Sequence, residues 1–371
     1  MKTILEMFGE PITYGGQESV VYNMLSTFDL KKSFKVDLFT PYYADNKNII
    51  DLINNNNGRI FSLNIDFKTN DNRLLLSKYI NLFFDANKDY DVVHIHTGSL
   101  TTMYVYAKAA KTHNIKKVIV HSHIASKKNS LIYNLFKTFV CAFLQKYVDI
   151  FLGCSNEAIT SKFTKKIVNE STVVYNGIDI DKFKFNNKYR TYIRSKYNVE
   201  EKFVIGSLGR LDKQKNNDFM INIISELNGC ANIILMIVGT GTIENELKKR
   251  CKYLYLNEKV IFTGKQVETY KFYSAFDCFI LPSLYEGMPV TAIEAQISGL
   301  PTLISNRVTT DVCISDRCKF LSIDDKSIWV KEILDLAKSN VNEQDRINAN
   351  TSFSKFDRNK TFKIVEKIYN E

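Results

Sequence analysis

The stretch Leu281-Pro282-Ser283-Leu284-Tyr285-Glu286-Gly287-Met288-Pro289-Val290-Thr291-Ala292-Ile293-Glu294-Ala295 reads as the end of a strand, a loop and the start of a helix. The strand closes at Leu281, the loop carries Glu286, and Pro289 suits the first helical position, where its missing N–H costs nothing. Glu294 then lies about a turn and a half into the helix. Two carboxylates bracket a helix N-terminus, whose N–H groups and positive dipole end favour phosphate. Fixed carboxylates accept hydrogen bonds from neutral hydroxyls, so a phosphorylated, hydroxyl-rich ligand of the nucleotide-sugar kind fits the layout. A plain capping arrangement is the competing reading.

Working outward, the same strand-loop-helix unit recurs along the chain. Short runs rich in β-branched and aromatic residues occur at Thr3-Met7, Lys35-Thr40, Arg59-Leu63, Val92-His96, Lys117-Ser122, Ile150-Cys154 and Thr172-Tyr175. A second series follows at Phe203-Leu208, Ile233-Val238, Val260-Thr263, Cys278-Leu281 and Pro301-Ile304. Strands separated by helical stretches predict parallel sheets built from βαβ units, and two series predict two such domains. The turn-forming Asn176-Gly177-Ile178-Asp179 marks the break, giving an N-terminal domain over 1–176 and a C-terminal domain over 177–371. Ligands of open parallel sheets sit outside the carboxyl ends of the strands, so the expected site is a cleft between two facing Rossmann-like domains.

Length and composition agree. At 371 residues, 45% hydrophobic and 24% charged, the chain is long enough for two packed cores and far from disordered compositions. Its seven cysteines form no C-x-x-C pair and no signal-like cleavage site follows Met1, which predicts a reduced, cytoplasmic protein with its cysteines as small core residues. Fifty basic against 40 acidic residues give a net charge of +10. The excess is clustered: Lys108 to Lys166 holds eleven lysines against Asp149 and Glu157. Within it, Lys127-Lys128 precede an apolar helical pattern from Leu131 to Val148, too interrupted for a membrane span but suited either to the core or to a membrane surface. The expected partner of the basic stretch is an anionic membrane surface; nucleic acid is disfavoured because no recognition motif accompanies the charge.

Two further loops follow strands. Tyr14-Gly15-Gly16-Gln17-Glu18-Ser19 opens a helix, and its paired glycines let a ligand approach the backbone, although taken alone the loop reads rather as a tight turn. Gly209-Arg210-Leu211-Asp212-Lys213-Gln214-Lys215 ends another strand, where Arg210 and Lys215 could converge on a diphosphate. His94 and His96 share one face of a strand and read as structural, His123 ends a strand and reads as functional, and His113 reads as a surface residue. Asp179-Ile180-Asp181 reads as part of the linker rather than as a metal site, no His/Cys spacing suggests zinc, and neither a dinucleotide fingerprint nor a P-loop is present.

Taken together, Glu286 and Glu294 with Gly-x-Pro, the upstream Gly209-Arg210 and Lys215, the Gly15-Gly16 loop, His121-Ser122-His123, Asn176-Gly177-Ile178-Asp179 and Val238-Gly239-Thr240-Gly241 resemble the retaining glycosyltransferases of family 4, of GT-B fold. The resemblance spans nearly the whole chain, and Ala295-Gln296 with Gly299-Leu300-Pro301 is most similar to bacterial enzymes of capsular and exopolysaccharide assembly. It implies that Glu294 binds ribose hydroxyls, Glu286 sugar hydroxyls, and Arg210 and Lys215 the diphosphate. The backbone at Gly15 and Gly16 and at Gly287, Met288, Pro289 and Val290 would add phosphate or sugar contacts, with His123 facing the sugar. Thr240 stands where the family often has Asp. The implied activity is metal- and cofactor-independent transfer from a UDP-sugar to a lipid-linked saccharide at the inner face of the cell membrane, with the last helix packing back on the N-terminal domain. A soluble synthase using a free sugar or sugar phosphate, or a non-catalytic nucleotide-sugar-binding partner, are the alternatives.

Overall fold

A computed structural model of the chain describes residues 1–66, 73–123, 130–230, 232–339, 343–349 and 353–371. Lys127-Lys128 lie outside them. The chain forms two compact units, Met1–Ile178 with Lys355–Glu371, and Asp179–Ser354. The division falls two residues beyond Asn176, and the C-terminal segment belongs to the first unit, because Phe362, Val365 and Tyr369 are buried in its core.

In the first unit seven parallel strands are ordered β3-β2-β1-β4-β5-β6-β7: β1 (Lys2–Phe8), β2 (Phe34–Thr40), β3 (Ile60–Ser62), β4 (Val92–His96), β5 (Lys117–Ser122), β6 (Ile150–Gly153) and β7 (Thr172–Val173). In the second, six parallel strands are ordered β10-β9-β8-β11-β12-β13: β8 (Phe203–Leu208), β9 (Ile233–Val238), β10 (Val260–Phe262), β11 (Cys278–Leu281), β12 (Thr302–Ser305) and β13 (Cys318–Leu321). Strand β13 has no counterpart among the sequence expectations; its short Cys-Lys-Phe-Leu lies at a sheet edge, only Leu321 of it buried. Both sheets are doubly wound, and in each the order reverses between two central strands, β1 and β4 in the first and β8 and β11 in the second. The loops leaving those four strands are where such folds place ligands.

Five helices concern the sites: α1 (Gly16–Leu25), α2 (Leu131–Leu144), α3 (Asn217–Glu226), α4 (Val290–Ile297) and α5 (Arg358–Asn370). Strand β1 shows why its sheet is covered on both sides. Leu5 and Met7 enter one apolar cluster while Ile4 and Phe8 enter the opposite one, which holds residues of α1 and α5. Between Ile4 and Phe8, on that second face, lies the fully buried Glu6.

Candidate active site

In the second unit, the loops after β8 and β11 are tied to each other. Leu284 N donates to Gln214 O at 2.9 Å, and Asn216 Nδ2 donates to Pro282 O at 3.1 Å. The tie converges on Glu286: Lys215 Nζ lies 2.6 Å from Oε1, Ser283 Oγ 2.8 Å from the same oxygen, and Gln214 Nε2 3.4 Å from Oε2. Asp212 caps the one-turn helix Lys213–Lys215 and so aims Lys215 at the carboxylate. Arg210 is arranged differently. Its side chain is 76% exposed, with Nε 3.5 Å from Asp212 Oδ2.

Helix α4 begins at Val290, with Pro289 as its N-cap rather than its first residue, so Glu294 sits little more than one turn in. Tyr273 Oη donates to Glu294 Oε2 at 2.5 Å. Burial pushes the Glu294 carboxyl up to about 7 against that hydrogen bond, and burial with the Glu294 charge holds the Tyr273 hydroxyl well above its ordinary range. Met288 is buried. Thr291, in the first turn of α4, buries a hydroxyl that has no hydrogen-bond partner. The loop after β9 packs against the β8 loop: Leu211 N donates to Thr240 O at 3.0 Å, and a Cβ on Gly239, at φ +136°, would fall 2.1 Å from Gly209 O. Thr240 thus holds the β8 loop through its carbonyl, a contact that any residue at that position could make.

In the first unit the two glycines differ. A Cβ on Gly15 would meet the carboxylate end of Glu18 at 2.5 Å, so that side chain would have to shift, whereas nothing lies within 4 Å of the position of a Cβ on Gly16. Space for a ligand is therefore beside Gly16. Glu18 reaches back to accept from Thr13 N at 3.1 Å and fixes the entry to α1.

Four of the five histidines form one assembly. Register pairs Glu6 with His94 and His96 with His121, so all four residues share the sheet face covered by α5. Ring centroids of His94 and His96 are 4.1 Å apart, and those of His121 and His123 are 4.2 Å apart. Burial, reinforced by neighbouring imidazoles, pushes His94, His121 and His123 well below the ordinary histidine range and keeps them neutral. His94, His96 and His121 bring ligand atoms within 4.8 Å of one another, a clustering invisible in their sequence spacing. Two of those rings, however, already spend a nitrogen on protein partners, His94 Nδ1 on Tyr369 and His96 Nε2 on Glu6. His113 is not a free surface residue: its ring caps a helix end at Ala109 O, contacts Asp85 and stacks on Phe84. Glu10, unremarked in the sequence, accepts from Thr97 Oγ1 at 2.9 Å and buries its other oxygen without a partner; burial raises its carboxyl.

One Rossmann-like unit thus carries a carboxylate on each side of a helix N-terminus with cations on the adjoining loop, and the chain holds a second Rossmann-like unit with its own polar strand ends. Comparison with known proteins agrees. Residues 14–182 match the family model Glycosyltransferase Family 4 and residues 190–352 match Glycosyl transferases group 1. The chain belongs to the family 4-like glycosyltransferases of GT-B fold. It is 26% identical over 308 residues to the putative glycosyltransferase EpsF of Bacillus subtilis, covering 80% of this chain and 78% of that one. It is 28% identical over 250 residues to the UDP-Gal:alpha-D-GlcNAc-diphosphoundecaprenol alpha-1,3-galactosyltransferase of Escherichia coli, covering 62% of each. Among solved structures, Anabaena HepE in complex with UDP-glucose shares the fold with a TM-score of 0.80 at 16% identity over 100% of both chains.

Proposed function

We propose that the chain transfers a sugar, with retention of anomeric configuration, from a UDP-sugar to a hydroxyl of a lipid-linked saccharide in surface-glycan synthesis. The observation that carries this is the knot of Lys215, Gln214 and Ser283 on Glu286, with Glu294 anchored to Tyr273 one helical turn away. Departure of a nucleoside diphosphate leaves negative charge on its phosphates, and fixed donors aimed at that charge lower the barrier. Lys215 can serve the diphosphate without releasing Glu286, because an ammonium has three protons to donate. Arg210, free to swing, closes on the phosphates as a planar fork, and the first turn of α4 supplies N–H groups that its own carbonyls cannot take. In this reading the charge is handled by cations and backbone, and no metal or other cofactor is called on. Glu286 and Glu294 hold sugar and ribose hydroxyls rather than acting as an acid/base pair. Transfer is front-face, the leaving phosphate taking the acceptor's proton as the new glycosidic bond forms.

Helix α2 supports the lipid-linked acceptor over a soluble one. Only Val140, Cys141 and Leu144 of it are buried, while Leu131, Ile132, Leu135 and Phe139 are 66–80% exposed. On another side of the helix Lys137, with Lys165 and Lys166, lines an open cavity of about 630 Å³. An exposed apolar helix face in a lysine-rich region suits the headgroup region of an anionic bilayer, where each lysine near the surface contributes ~1 kcal/mol. The basic stretch is not all surface, however: Lys162 is buried, donating to Gly98 O, Lys117 donates to Ile368 O, and Lys111 pairs with Asp149. Among the described residues no helix is long and apolar enough to cross a membrane. The reading therefore places the protein at the cytoplasmic membrane face, held by α2 and its lysines.

Lys215→Ala and Arg210→Ala should each lower sugar transfer by about 100-fold, in line with loss of a transition-state charge partner. Near-wild-type turnover in both would end the diphosphate assignment. The anomeric configuration of the product, read by its proton coupling, decides retention.

A further inference from the structure

The carboxyl ends of β1, β4 and β5 carry a continuous hydrogen-bonded chain that ends at a buried ring nitrogen without a partner. Tyr369 Oη donates to Glu6 Oε1 at 2.6 Å and lies 2.6 Å from His94 Nδ1. Glu6 Oε2 is 2.7 Å from His96 Nε2, and His96 Nδ1 is 2.9 Å from His123 Nε2. His123 Nδ1 is buried with no hydrogen-bond partner, which is costly unless something else supplies one.

Proton counting gives the chain a direction. A carboxylate oxygen accepts, so His96 donates through Nε2, and a ring with its one proton there offers a lone pair at Nδ1. His123 must then place its proton on Nε2 to fill the 2.9 Å contact. We propose that Glu6 and His96 are positioning residues that lock His123 in the Nε2–H tautomer, so that its Nδ1 lone pair accepts a hydrogen bond from a sugar hydroxyl. The inference rests on the glycosyltransferase reading above and adds what fixes the polarity of its histidine. Fixing a tautomer through a second group is worth a large factor in rate where the ring touches the reacting molecule. Burial of His94, His121 and His123 keeps those rings from taking a second proton that would scramble the chain.

The test begins with the unmodified full-length protein, labelled with ¹⁵N-histidine, its His123 signals assigned by loss in His123→Asn. Ring-nitrogen spectra should show His123 protonated at Nε2 and bare at Nδ1. His96→Phe removes the acceptor and should abolish that tautomer, lowering kcat about 100-fold while the KM for donor stays within about twofold. His96→Asn places an amide oxygen where Nδ1 lay and should restore the tautomer and most of kcat. A wild-type His123 protonated at Nδ1, or a His96→Asn enzyme no better than His96→Phe, would overturn the proposal. If the wild type transfers no sugar, the catalytic reading fails, and the spectra still decide the relay on their own.

Discussion

Glu294 shows how one side chain couples ligand binding to stability. Its carboxyl, raised from 4.5 to about 7 chiefly by burial, ionises near neutrality, and the ionised form is the better acceptor for ribose hydroxyls. Donor KM should therefore fall as pH rises through about 7, and Glu294→Gln should flatten that profile and raise KM about 10-fold. Stability moves the opposite way. A folded pKa above the unfolded one means the native state holds the extra proton, so stability is lost as pH rises from 4.5 to about 7. Denaturant melts should accordingly show Glu294→Gln gaining up to a few kcal/mol over wild type at pH 8, and much less at pH 4. A constant difference across pH would contradict the assignment. At this scale the sequence pointed to Glu286, Lys215 and His123 because each follows a strand, and to Glu294 because it lies on the helix that the Glu286 loop enters. Tyr273, Ser283, Gln214 and Thr291 escaped notice, because nothing in their spacing tells which loop they will meet. Glu6 was unremarked and His96 read only as structural, because their pairing depends on the register of β1 against β4, far apart along the chain.

Elements were more legible than contacts. Twelve of the strands in β1–β13 coincide with runs rich in β-branched and aromatic residues, and the central ones, buried on both faces of a doubly wound sheet, need such composition along their whole length. Strand β13 is a short edge strand whose exposed Lys319 breaks the pattern. Periodicity found helix α2 but could not say how far its apolar arc turns inward, since a core helix and an interfacial one share the same repeat. Its exposed face gives a prediction at this scale. Leu135→Glu with Phe139→Glu should reduce co-sedimentation with vesicles containing anionic lipid by at least about 10-fold, through lost apolar insertion and added repulsion. Folding should change little, as both side chains are solvent-exposed. Undiminished sedimentation would remove α2 from the membrane contact.

Across the whole molecule, each unit has its own sheet and core, yet the chain completes the first only on returning at Lys355. Phe362, Val365 and Tyr369 of α5 are essentially inaccessible, and burying three such side chains contributes about 5–9 kcal/mol, comparable to the net stability of a domain. A chain ending at Ser354 should lose hydrogen-exchange protection throughout 1–178 while β8–β12 keep theirs; equal protection in both units would refute this dependence. The central claim is catalytic, and one measurement tests it most directly. Purified protein is incubated with a panel of UDP-sugars and membranes bearing lipid-linked saccharide, and both nucleotide release and the extended glycolipid are quantified. The account predicts UDP released in step with product for one sugar, both falling about 100-fold in Lys215→Ala. Binding of UDP-sugars with neither released nucleotide nor extended glycolipid for any donor would contradict it.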